Sequence, residues 1–461
     1  MISSIRKLGV IGMSIILPKD VRYIIEKLSD EGYEAYAVGG CVRDSLLGRT
    51  PNDWDITTSA TPQEIKSVFK RTVDTGIKHG TVTVMLKKEG YEVTTFRIDG
   101  EYTDHRRPDG VTFTRELSED LLRRDFTINA MAYSDKTGVV DLYGGVEDLN
   151  KGIIRCVGNP DDRFNEDALR IMRAVRFAAQ LGFEIDEETR KAAADHAPEL
   201  QKVSAERIET ELTKLLTSPH PEKILDMYEM GITTVVLPEF DRMINTPQNT
   251  PYHRYDVGRH TVEVMKNVPP TKTMRYAALL HDVGKPDTRT TDDKGQDHFK
   301  GHAKVSEKIA GEVLKRLRMD NDTIRDVKTI VLWHDFGLKG DITRKSVRKM
   351  LSSMGKEYFD SYVQIKRADI KGQSDYGSDE SLGYLAQIIS FHDEIIEEGN
   401  ALAISDLAIS GKDLINMGIK PGPQMGEILR DLLDKVIEEP ALNTAEALTR
   451  LVAERWLHPK I

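Results

Sequence analysis

The segment that most constrains the fold is a short apolar run, followed at once by two glycines and then by an Asp-x-Asp pair. Ala35–Val38 is predicted to form a buried strand, and Gly39 and Gly40 come directly after it. Glycines at such a point let the backbone approach a ligand closely, and their amides can face a triphosphate. Asp53 and Asp55 are separated by one residue on an extended segment, so both carboxylates project from the same face. Two hard oxygen ligands on one face suit a pair of Mg²⁺ ions whose shells are completed by substrate phosphates.

The two carboxylates indicate a reaction in which a hydroxyl attacks the α-phosphate of a nucleotide. One Mg²⁺ ion would lower the pKa of the attacking hydroxyl, and a second would stabilise the departing pyrophosphate. Arg43, in the opening turn of the next helix, would add a cation for the phosphates. A third carboxylate is expected on a neighbouring strand, and Glu92 is the candidate ahead of Asp99. Asp-x-Asp alone is common on solvated surfaces, but strand, glycine pair, helix and Asp-x-Asp in this order are hard to obtain by chance.

The hydrophobic pattern divides the chain into an α/β part and a later helical part. With 461 residues the chain is too long for one core and should form several domains. Between residues 20 and about 149, helix and strand patterns alternate, with strands predicted at Thr81–Met85 and Tyr91–Arg97. Beyond about residue 165, strand signals become scarce. Apolar residues at helical spacing predict helices at Ala168–Leu181, Ala205–Leu216, Glu222–Met230, Val305–Leu317 and Met425–Val436.

Composition narrows the class of protein without deciding its partner. The formal net charge is −10, but net charge averages over domains, and a basic groove can lie on an acidic protein. The two cysteines, Cys41 and Cys156, cannot form a metal cluster and fit a reducing, cytoplasmic compartment. The apolar stretch Leu8–Pro18 is too short to span a bilayer, so we interpret it as a start-site extension or a packed lead-in. Met13 is an alternative start.

A second cluster of polar residues lies in the stretch that begins at Arg123. Arg123, Arg124, Asp125 and Asn129 place two cations, an anion and an amide within two helical turns. Such a set can hold a ribose by its hydroxyls while the arginines contact phosphates. A solvated helix face is the alternative interpretation of this stretch taken alone.

A third motif combines a carboxylate with a guanidinium. Asp167 and Arg170 are three residues apart, which would place both on one face of a helix. Cytosine and adenine each offer an amine donor beside a ring-nitrogen acceptor, so Asp167 could accept and Arg170 donate. Uracil and guanine would meet a repulsive arrangement. Arg173 and Arg176 continue the same helix and could contact the triphosphate or the primer backbone, although an isolated Asp/Arg pair is usually a surface ion pair.

These three motifs together resemble those of class II CCA-adding enzymes and bacterial poly(A) polymerases. The stretch from Val38 to Gly48 followed by Asp53-x-Asp55 looks like the family's head motif. Arg123–Ala130 matches its second motif, which in the family recognises ribose, and Glu166–Arg170 its nucleotide-selecting motif. The resemblance is diagnostic from about residue 20 to 220 and looser beyond. It implies an α+β head of the polymerase-β-like nucleotidyltransferase type followed by an all-α neck, body and tail.

The resemblance also implies a domain layout and partners. It predicts a catalytic head at 18–150, a nucleotide-selecting and RNA-binding neck at 151–220, a helical body at 221–390, and a tRNA-binding tail at 391–461. The implied substrates are tRNA, CTP and ATP, with two Mg²⁺ ions in the head. Glu206, Arg207 and Glu211 resemble a fifth motif, interpreted as structural bracing. The polar loop Asp99–Asp109 resembles one that accompanies the switch from C to A addition, which argues against an enzyme that adds only CC.

A separate set of histidines and aspartates predicts a second metal site in the body. Leu279–Pro286 resembles the HD phosphohydrolase motif. The resemblance assigns metal ligation to His260, His281, Asp282, His302, His334 and Asp369. Imidazole and carboxylate suit a divalent transition metal or Mg²⁺, with a bound water as nucleophile toward phosphomonoesters or 2′,3′-cyclic phosphates. The alternative is a degenerate HD fold kept for its helices, and His105, His253 and His298 are predicted to be ordinary structural residues.

Four functions therefore remain open at the level of sequence. A CCA tRNA nucleotidyltransferase leads, and an enzyme that adds only the terminal A is its nearest rival. A poly(A) polymerase is disfavoured because the segment Ala441–Ile461 lacks the basic run that such enzymes carry. In the fourth, the protein is an HD phosphohydrolase whose head only binds nucleotides. The intact Asp53, Asp55, Asp167 and Arg170 argue against that last interpretation.

Overall fold

The computed structural model of the protein describes residues 15–100, 110–337 and 342–457. The chain divides into two compact units, Met1–Pro238 and Glu239–Ile461. None of the helices in the described ranges is long and apolar enough to cross a membrane. Residues 8–14 of the predicted lead-in, including the alternative start at Met13, lie outside the described residues, as do residues 101–109 of the predicted loop.

The first unit is built around a mixed β-sheet. Its strands are β1 (Ala35–Val38), β2 (Ile56–Thr58), β3 (Thr72–Gly76), β4 (Thr81–Leu86), β5 (Glu89–Thr95), β6 (Arg97–Asp99), β7 (Val111–Phe113), β8 (Met131–Ser134), β9 (Gly138–Asp141), β10 (Ile153–Ile154) and β11 (Glu184–Ile185). The main sheet has the order β3-β4-β5-β2-β1-β8-β9. Within it β2 and β5 run parallel, and every other neighbouring pair is antiparallel.

Helices pack around this sheet and then continue the unit. They are α1 (Lys19–Asp30), α2 (Gly40–Leu46), α3 (Pro62–Val68), α4 (Leu117–Leu122), α5 (Gly145–Lys151), α6 (Pro160–Glu166), α7 (Leu169–Leu181), α8 (Glu187–Asp195), α9 (Ala205–Leu216), α10 (Ile224–Glu229) and α11 (Ile232–Val236). Helix α1 buries Val21, Ile24 and Leu28, the helical spacing of its sequence. Helix α3 begins with a capping box in which Thr61 and Glu64 exchange hydrogen bonds.

One core cluster of the first unit positions the motif that follows α4. Tyr36 and Val38 of β1 pack with Leu117 and Leu121 of α4, and Leu121 is fully buried. Burial of a leucine of this kind is worth about 1.5–3 kcal/mol. Because α4 is held against the sheet, its end places Arg123 and the residues after it beside β1 and β2.

The second unit is helical. Its helices are α12 (Pro238–Ile244), whose first residue closes the first unit, α13 (Val257–Asn267), α14 (Lys272–Leu280), α15 (Lys285–Thr288), α16 (His302–Arg316), α17 (Asn321–Trp333), α18 (Arg344–Met354), α19 (Phe359–Gly372), α20 (Ser378–Glu397), α21 (Gly411–Asn416), α22 (Pro423–Glu438) and α23 (Ala445–Val452). A short hairpin joins β12 (Thr290–Thr291) to β13 (Asp297–His298). One core cluster lies among α18, α19 and α20, and another among α21, α22 and α23.

The secondary structure confirms most of the predicted elements and corrects one. The strand at Ala35–Val38 and the helix at Ala205–Leu216 have the predicted bounds. The strand predicted at Tyr91–Arg97 instead forms β5 and β6, because the chain leaves the main sheet after Thr95 and pairs with β7. The later region is mostly helical, as predicted, and the strands β11, β12 and β13 within it are two residues long. Such short pairings leave too little alternation for a period-two pattern to show.

Candidate active site and candidate metal centre

The glycine pair forms a sharp turn between β1 and α2. Gly39 has a φ of 82°, and a Cβ placed on it would lie 3.0 Å from Nη1 of Arg124. A side chain at this position would therefore be strained by the backbone and would crowd the arginine. The amide of Gly39 donates to the carbonyl of Met131 at 3.1 Å, so it is not free to face a phosphate. The prediction that both glycine amides face the ligand is therefore wrong for Gly39, and Gly40 opens α2.

Asp53 and Asp55 lie directly before β2, and both are exposed. The carbonyl of Asp55 accepts a hydrogen bond from Val38 at 3.0 Å, which ties this segment to β1. Desolvation of the carboxylate by the surrounding protein raises the pKa of Asp55, and the negative charge of Asp53 acts in the same direction. The charge of Arg124 opposes both effects.

The sheet register places Glu92 near this pair. Ile56 of β2 is the parallel partner of Val93 of β5, so one step back along both strands brings Asp55 beside Glu92. Glu92 is exposed. Within the described residues, the three carboxylates do not form a group whose ligand atoms all lie within 4.8 Å of one another.

Buried Asp120 connects the strand that follows Asp55 to the arginine pair. Its carboxylate accepts from Arg123 at 2.7 Å, from Nη2 of Arg124 at 3.4 Å and from the hydroxyl of Thr57 at 3.2 Å. Burial opposes ionisation of Asp120, but the two arginines keep its pKa below the ordinary value. The sequence analysis did not single out Asp120. The available signal was its spacing of three and four residues before the two arginines.

A second network joins Asp125 to α2 and α7. Asp125 accepts from Asn129 at 3.1 Å and from Nε of Arg173 at 2.8 Å, and Asn129 in turn accepts from Nη1 of Arg43 at 2.7 Å. Burial opposes ionisation of Asp125, yet Arg173 and Asn129 outweigh it and lower its pKa. Arg43 is itself buried and also pairs with Asp44. In this structure Arg43 therefore braces α2 from within, where the sequence predicted a cation for the phosphates.

Two of the predicted nucleotide-binding motifs meet around one pocket of about 270 Å³. Its lining comprises Arg123, Arg124, Asp125, Asp167, Leu169, Arg170, Arg173 and Arg207. Five guanidinium groups against two carboxylates make it strongly cationic, as a triphosphate requires. Arg124 lines this pocket and pairs with Asp120, which accepts from Thr57 two residues after Asp55. The pocket therefore adjoins the segment that carries the predicted catalytic carboxylates.

Asp167 and Arg170 both line the pocket, but they do not share a helix. Helix α6 ends at Glu166, Asp167 is extended with φ −145° and ψ 103°, and α7 begins at Leu169. Oδ1 of Asp167 accepts from the amide of Leu169 at 3.1 Å, so Asp167 helps to start α7. The prediction of one continuous helical face is therefore wrong. The short polar side chain competes for backbone donors and interrupts the helix here.

The side chains of Asp167 and Arg170 are held by different partners. Oδ2 of Asp167 accepts from Nη2 of Arg207 at 2.7 Å. Arg170 donates to the carbonyl of Arg123 at 3.0 Å and pairs with Glu166 at 2.5 Å. Arg207 was predicted only as bracing, yet it lines the pocket and orients Asp167. Arg207 lies on α9, far along the chain from Asp167, so no local sequence pattern could predict their contact.

Arg176 lies elsewhere, on the buried side of α7. It pairs with Glu211 at 2.8 Å, and its guanidinium stacks 3.6 Å from the ring centroid of Phe177. Burial lowers the pKa of Arg176, with Glu211 acting against this shift. Arg176 does not line the pocket, so this geometry does not support its predicted contact with the triphosphate. The pairing of Glu211 with Arg176 agrees with the predicted bracing role of Glu211.

Replacing Arg176 with alanine is expected to lower the free energy of unfolding by about 3–5 kcal/mol, because Glu211 would remain buried without a partner. The KM for CTP should change little. Urea denaturation and initial rates measure the two quantities. An apolar double replacement, Arg176→Met with Glu211→Leu, should restore most of the stability. If Arg176→Ala left the free energy of unfolding unchanged and raised the KM for CTP, Arg176 would instead be a residue that binds the triphosphate.

The second unit brings all six residues of the predicted HD set together, and all six are buried. His260, His281 and Asp369 form one three-ligand group, and Asp282, His302 and His334 form another, each with its atoms within 4.8 Å. They come from α13, α16, α19 and the ends of α14 and α17. Nε2 of His260 lies 3.1 Å from Asp369, and Nε2 of His302 lies 3.3 Å from Asp282.

Backbone carbonyls orient the imidazoles of this centre. Nδ1 of His281, His302 and His334 lies 2.7, 2.8 and 2.6 Å from the carbonyls of Ala278, Phe299 and Val331 respectively. Each ring thus directs Nε2 inward, which is how proteins present imidazole to a metal ion. Nε2 of His281 is buried, and its 3.2 Å approach to Asp282 lacks hydrogen-bond geometry. A buried imidazole nitrogen without a hydrogen-bond partner is suited to coordinate a metal ion.

The charges of this centre also favour a cation. Burial opposes ionisation of Asp282, but His281 and Lys285 hold its pKa well below the ordinary value. The pKa of Asp369 is likewise well below its ordinary value, because His260 outweighs the effect of burial. Lys285 pairs with Asp282 at 2.7 Å, a contact that the sequence analysis did not identify although Lys285 lies within the quoted HD motif.

Comparisons with known proteins agree with this architecture. Residues 35–155 match the model of the Poly A polymerase head domain, and residues 298–452 match that of tRNA nucleotidyltransferase domain 2. A CCA-adding enzyme of Leuconostoc mesenteroides is 37% identical over 94% of this chain and 96% of its own length. One from Enterococcus faecalis is 36% identical, covering 93% and 94%. The crystal structure of the Bacillus stearothermophilus CCA-adding enzyme with CTP is 28% identical, with a TM-score of 0.66 over 95% of this chain and 98% of that one. The chain therefore belongs to the CCA-adding enzyme family of nucleotidyltransferases.

Proposed function

We propose that the first unit adds the sequence C, C, A to the 3′ end of tRNA, using CTP and ATP. The observation that carries the proposal is the cationic pocket in which Asp167 and Arg170 lie beside Arg124, which Asp120 connects to the strand that follows Asp55. A base-recognising pair, a phosphate-binding surface and a carboxylate pair thus adjoin one another. Such an arrangement suits nucleotidyl transfer, where catalysis depends mainly on positioning and charge stabilisation.

The residues of the site take separate roles in this proposal. Asp53 and Asp55, with Glu92 beside them, would hold two Mg²⁺ ions, which lower the pKa of the attacking hydroxyl and neutralise the phosphates when bound. The 3′ hydroxyl of the RNA forms a bond to the α-phosphorus, the bond to the β-phosphate oxygen breaks, and pyrophosphate leaves. Arg123, Arg124 and Arg173 line the pocket as cations for the triphosphate.

Base selection would rest on the carboxylate of Asp167 and the guanidinium of Arg170, which both line the pocket and are held by different partners. Asp167 accepts from the exocyclic amine of cytosine or adenine, and Arg170 donates to the adjacent ring nitrogen. Arg207 orients Asp167, since it donates to Oδ2. Uracil and guanine present a carbonyl and an N–H in these places, which leaves both protein groups unpaired.

Three tRNA transcripts test the proposal: one ending at the discriminator base, one ending after CC, and one complete. Each is incubated with Mg²⁺ and with each labelled nucleotide alone and together. Extension of the first by C, C and A, with no extension of the complete tRNA, is the expected result. Activity on the CC-ended tRNA alone would indicate an enzyme that adds only A, and unlimited A addition to any RNA a poly(A) polymerase.

Replacing Asp167 with alanine is expected to relax base selection. The wild-type preference for CTP over UTP should fall by about 10- to 100-fold. In the variant, uracil no longer leaves the Asp167 carboxylate without a hydrogen-bond donor, so binding of the wrong base is no longer penalised. Single-nucleotide kcat/KM values measure this ratio. Glu187→Ala, an exposed acid on α8, serves as a matched control. An Asp167→Ala enzyme that is slower for every nucleotide but equally selective would contradict the assigned role.

A second activity is proposed for the HD centre, favoured by the convergence of its six ligands. The class is hydrolysis of phosphomonoesters or 2′,3′-cyclic phosphates. Water adds to phosphorus, one ester P–O bond breaks, and the leaving oxygen takes a proton to become a hydroxyl. His260, His281 and Asp369 would hold one divalent cation, and Asp282, His302 and His334 another, which together activate water when bound. Such chemistry would accompany repair of damaged RNA ends.

The predicted layout of head, neck, body and tail remains part of the proposal, with its divisions at residues 150, 220 and 390. The body and tail would contact tRNA through its shape and backbone. Cys41 and Cys156 are both free and buried, which supports a reducing cytoplasmic setting.

A further inference from the structure

Beside the HD centre, the loop between α12 and α13 meets the loop between α19 and α20, and each loop carries an exposed tyrosine. The ring of Tyr252 packs edge-on against that of Tyr376, with centroids 5.1 Å apart. Tyr376 is 60% exposed and Tyr252 is 39% exposed. The two rings are in contact with each other, so together they form one contiguous aromatic surface that is open to solvent.

Both loops are attached directly to ligands of the centre. On the Tyr252 side, His253 places its ring 5.0 Å from that of His260. On the Tyr376 side, Gln373 donates to Oδ1 of Asp369 at 3.1 Å. The tyrosine pair therefore lies at the edge of the centre, on the segments that hold one of its two ligand groups.

The contacts between the loops hold the pair in place. Ser374 donates its amide to the carbonyl of Tyr252 at 2.8 Å, and Arg254 pairs with Asp375 at 2.6 Å. Gly377 has a φ of 73°, and a Cβ on it would lie 3.0 Å from the ring of Tyr252. The close approach thus needs glycine, and the two rings are fixed before any ligand arrives. A fixed aromatic surface loses little conformational entropy on binding.

We propose that Tyr252 and Tyr376 form a stacking site for the nucleobase of the HD centre's substrate. The substrate class is then the 3′-terminal nucleoside of an RNA, with its phosphate on the ribose, and not a small phosphate ester. This inference rests on the proposed hydrolytic function of the HD centre. Base stacking on an aromatic ring is worth about 1–3 kcal/mol and tolerates any base. A site of this kind would serve RNA ends of varied sequence.

The test compares a nucleoside 2′,3′-cyclic phosphate with the abasic ribose 2′,3′-cyclic phosphate on the full-length, metal-loaded protein. Tyr376→Ala is expected to raise the KM for the nucleoside substrate by about 5- to 100-fold, with kcat and the abasic reaction unchanged. Tyr376→Phe should retain wild-type values because it keeps the ring. Ile415→Ala, which alters another exposed apolar residue, on α21, is the control and should change nothing.

A binding measurement separates this inference from the hydrolytic function. Titration calorimetry with a nucleoside 2′-monophosphate and with ribose phosphate should show tighter binding of the nucleoside, lost in Tyr376→Ala and kept in Tyr376→Phe. If wild-type protein hydrolyses neither substrate, the hydrolytic function fails, while the calorimetric difference still decides the stacking site. Equal losses for nucleoside and abasic ligands, or no loss for either, would overturn the stacking site.

Discussion

Replacing Asp55 with alanine is expected to reduce nucleotide incorporation by about 1000-fold while leaving the fold intact. A carboxylate that holds the catalytic metal ions supplies several kcal/mol of charge stabilisation, and each 1.36 kcal/mol corresponds to a tenfold change in rate. The fold should survive because the carboxylate is exposed and the structural hydrogen bond at this position uses the backbone carbonyl. Single-turnover incorporation of CTP into a tRNA that ends at the discriminator base measures the effect.

The controls for Asp55→Ala separate catalysis from charge and stability. Asp74→Ala removes another exposed acid of the same sheet, one paired with Lys66, and should keep full activity. Asp55→Asn should be as inactive as the alanine variant, because a neutral amide is a poor ligand for Mg²⁺. Binding of CTP measured without Mg²⁺ should be nearly unchanged. Incorporation within tenfold of wild type in Asp55→Ala would mean that the catalytic carboxylates lie elsewhere.

The second large effect is expected at Asp282 in the HD centre. Asp282→Ala should abolish hydrolysis of 2′,3′-cyclic phosphates and lower the free energy of unfolding by about 3–5 kcal/mol, because Lys285 would stay buried without its partner. Asp282 also contacts Nε2 of His281, His302 and His334, so its loss disrupts both ligand groups. Thermal denaturation with and without added Mn²⁺ or Ni²⁺ measures stability and metal binding together.

A milder variant keeps this prediction decisive if the alanine protein fails to fold. Asp282→Asn preserves shape, and its melting temperature should rise less than that of wild type when metal is added, because one of the two ligand groups loses its carboxylate. Nucleotide incorporation should remain near wild type in Asp282→Asn, since the proposed catalytic and nucleotide-binding residues lie in the first unit. Wild-type hydrolysis or a wild-type metal response in Asp282→Asn would show that Asp282 is not a ligand of a catalytic metal ion.

The order of residues along the chain was enough to predict the local features of the head. A buried strand, two glycines and an Asp-x-Asp pair follow one another within a short segment, so their proximity needs no knowledge of packing. Glu92 could be proposed from its strand alone, and the parallel pairing of β2 with β5 brings it beside Asp55. The histidine set was predicted from motif resemblance although its members span residues 260 to 369.

The remainder depends on contacts that periodicity does not encode. Asp167 and Arg170 have helical spacing, but the aspartate uses a backbone amide to begin a new helix. Arg176 has the same spacing as its neighbours, and only packing against Glu211 shows that it faces inward. Arg207 and Asp120 act through partners that the tertiary fold supplies. A residue's type indicated the possible chemistry, whereas its neighbours decided which group it serves.

The most direct test of the central claim is to sequence the 3′ ends made from a discriminator-ended tRNA when all four nucleotides compete at equal concentration. Selection by Asp167 and Arg170 predicts products that end in C, CC or CCA, with CCA accumulating and no further growth. Frequent U or G, or continued A addition past the first, would contradict a pocket that accepts only cytosine and adenine and stops after one A.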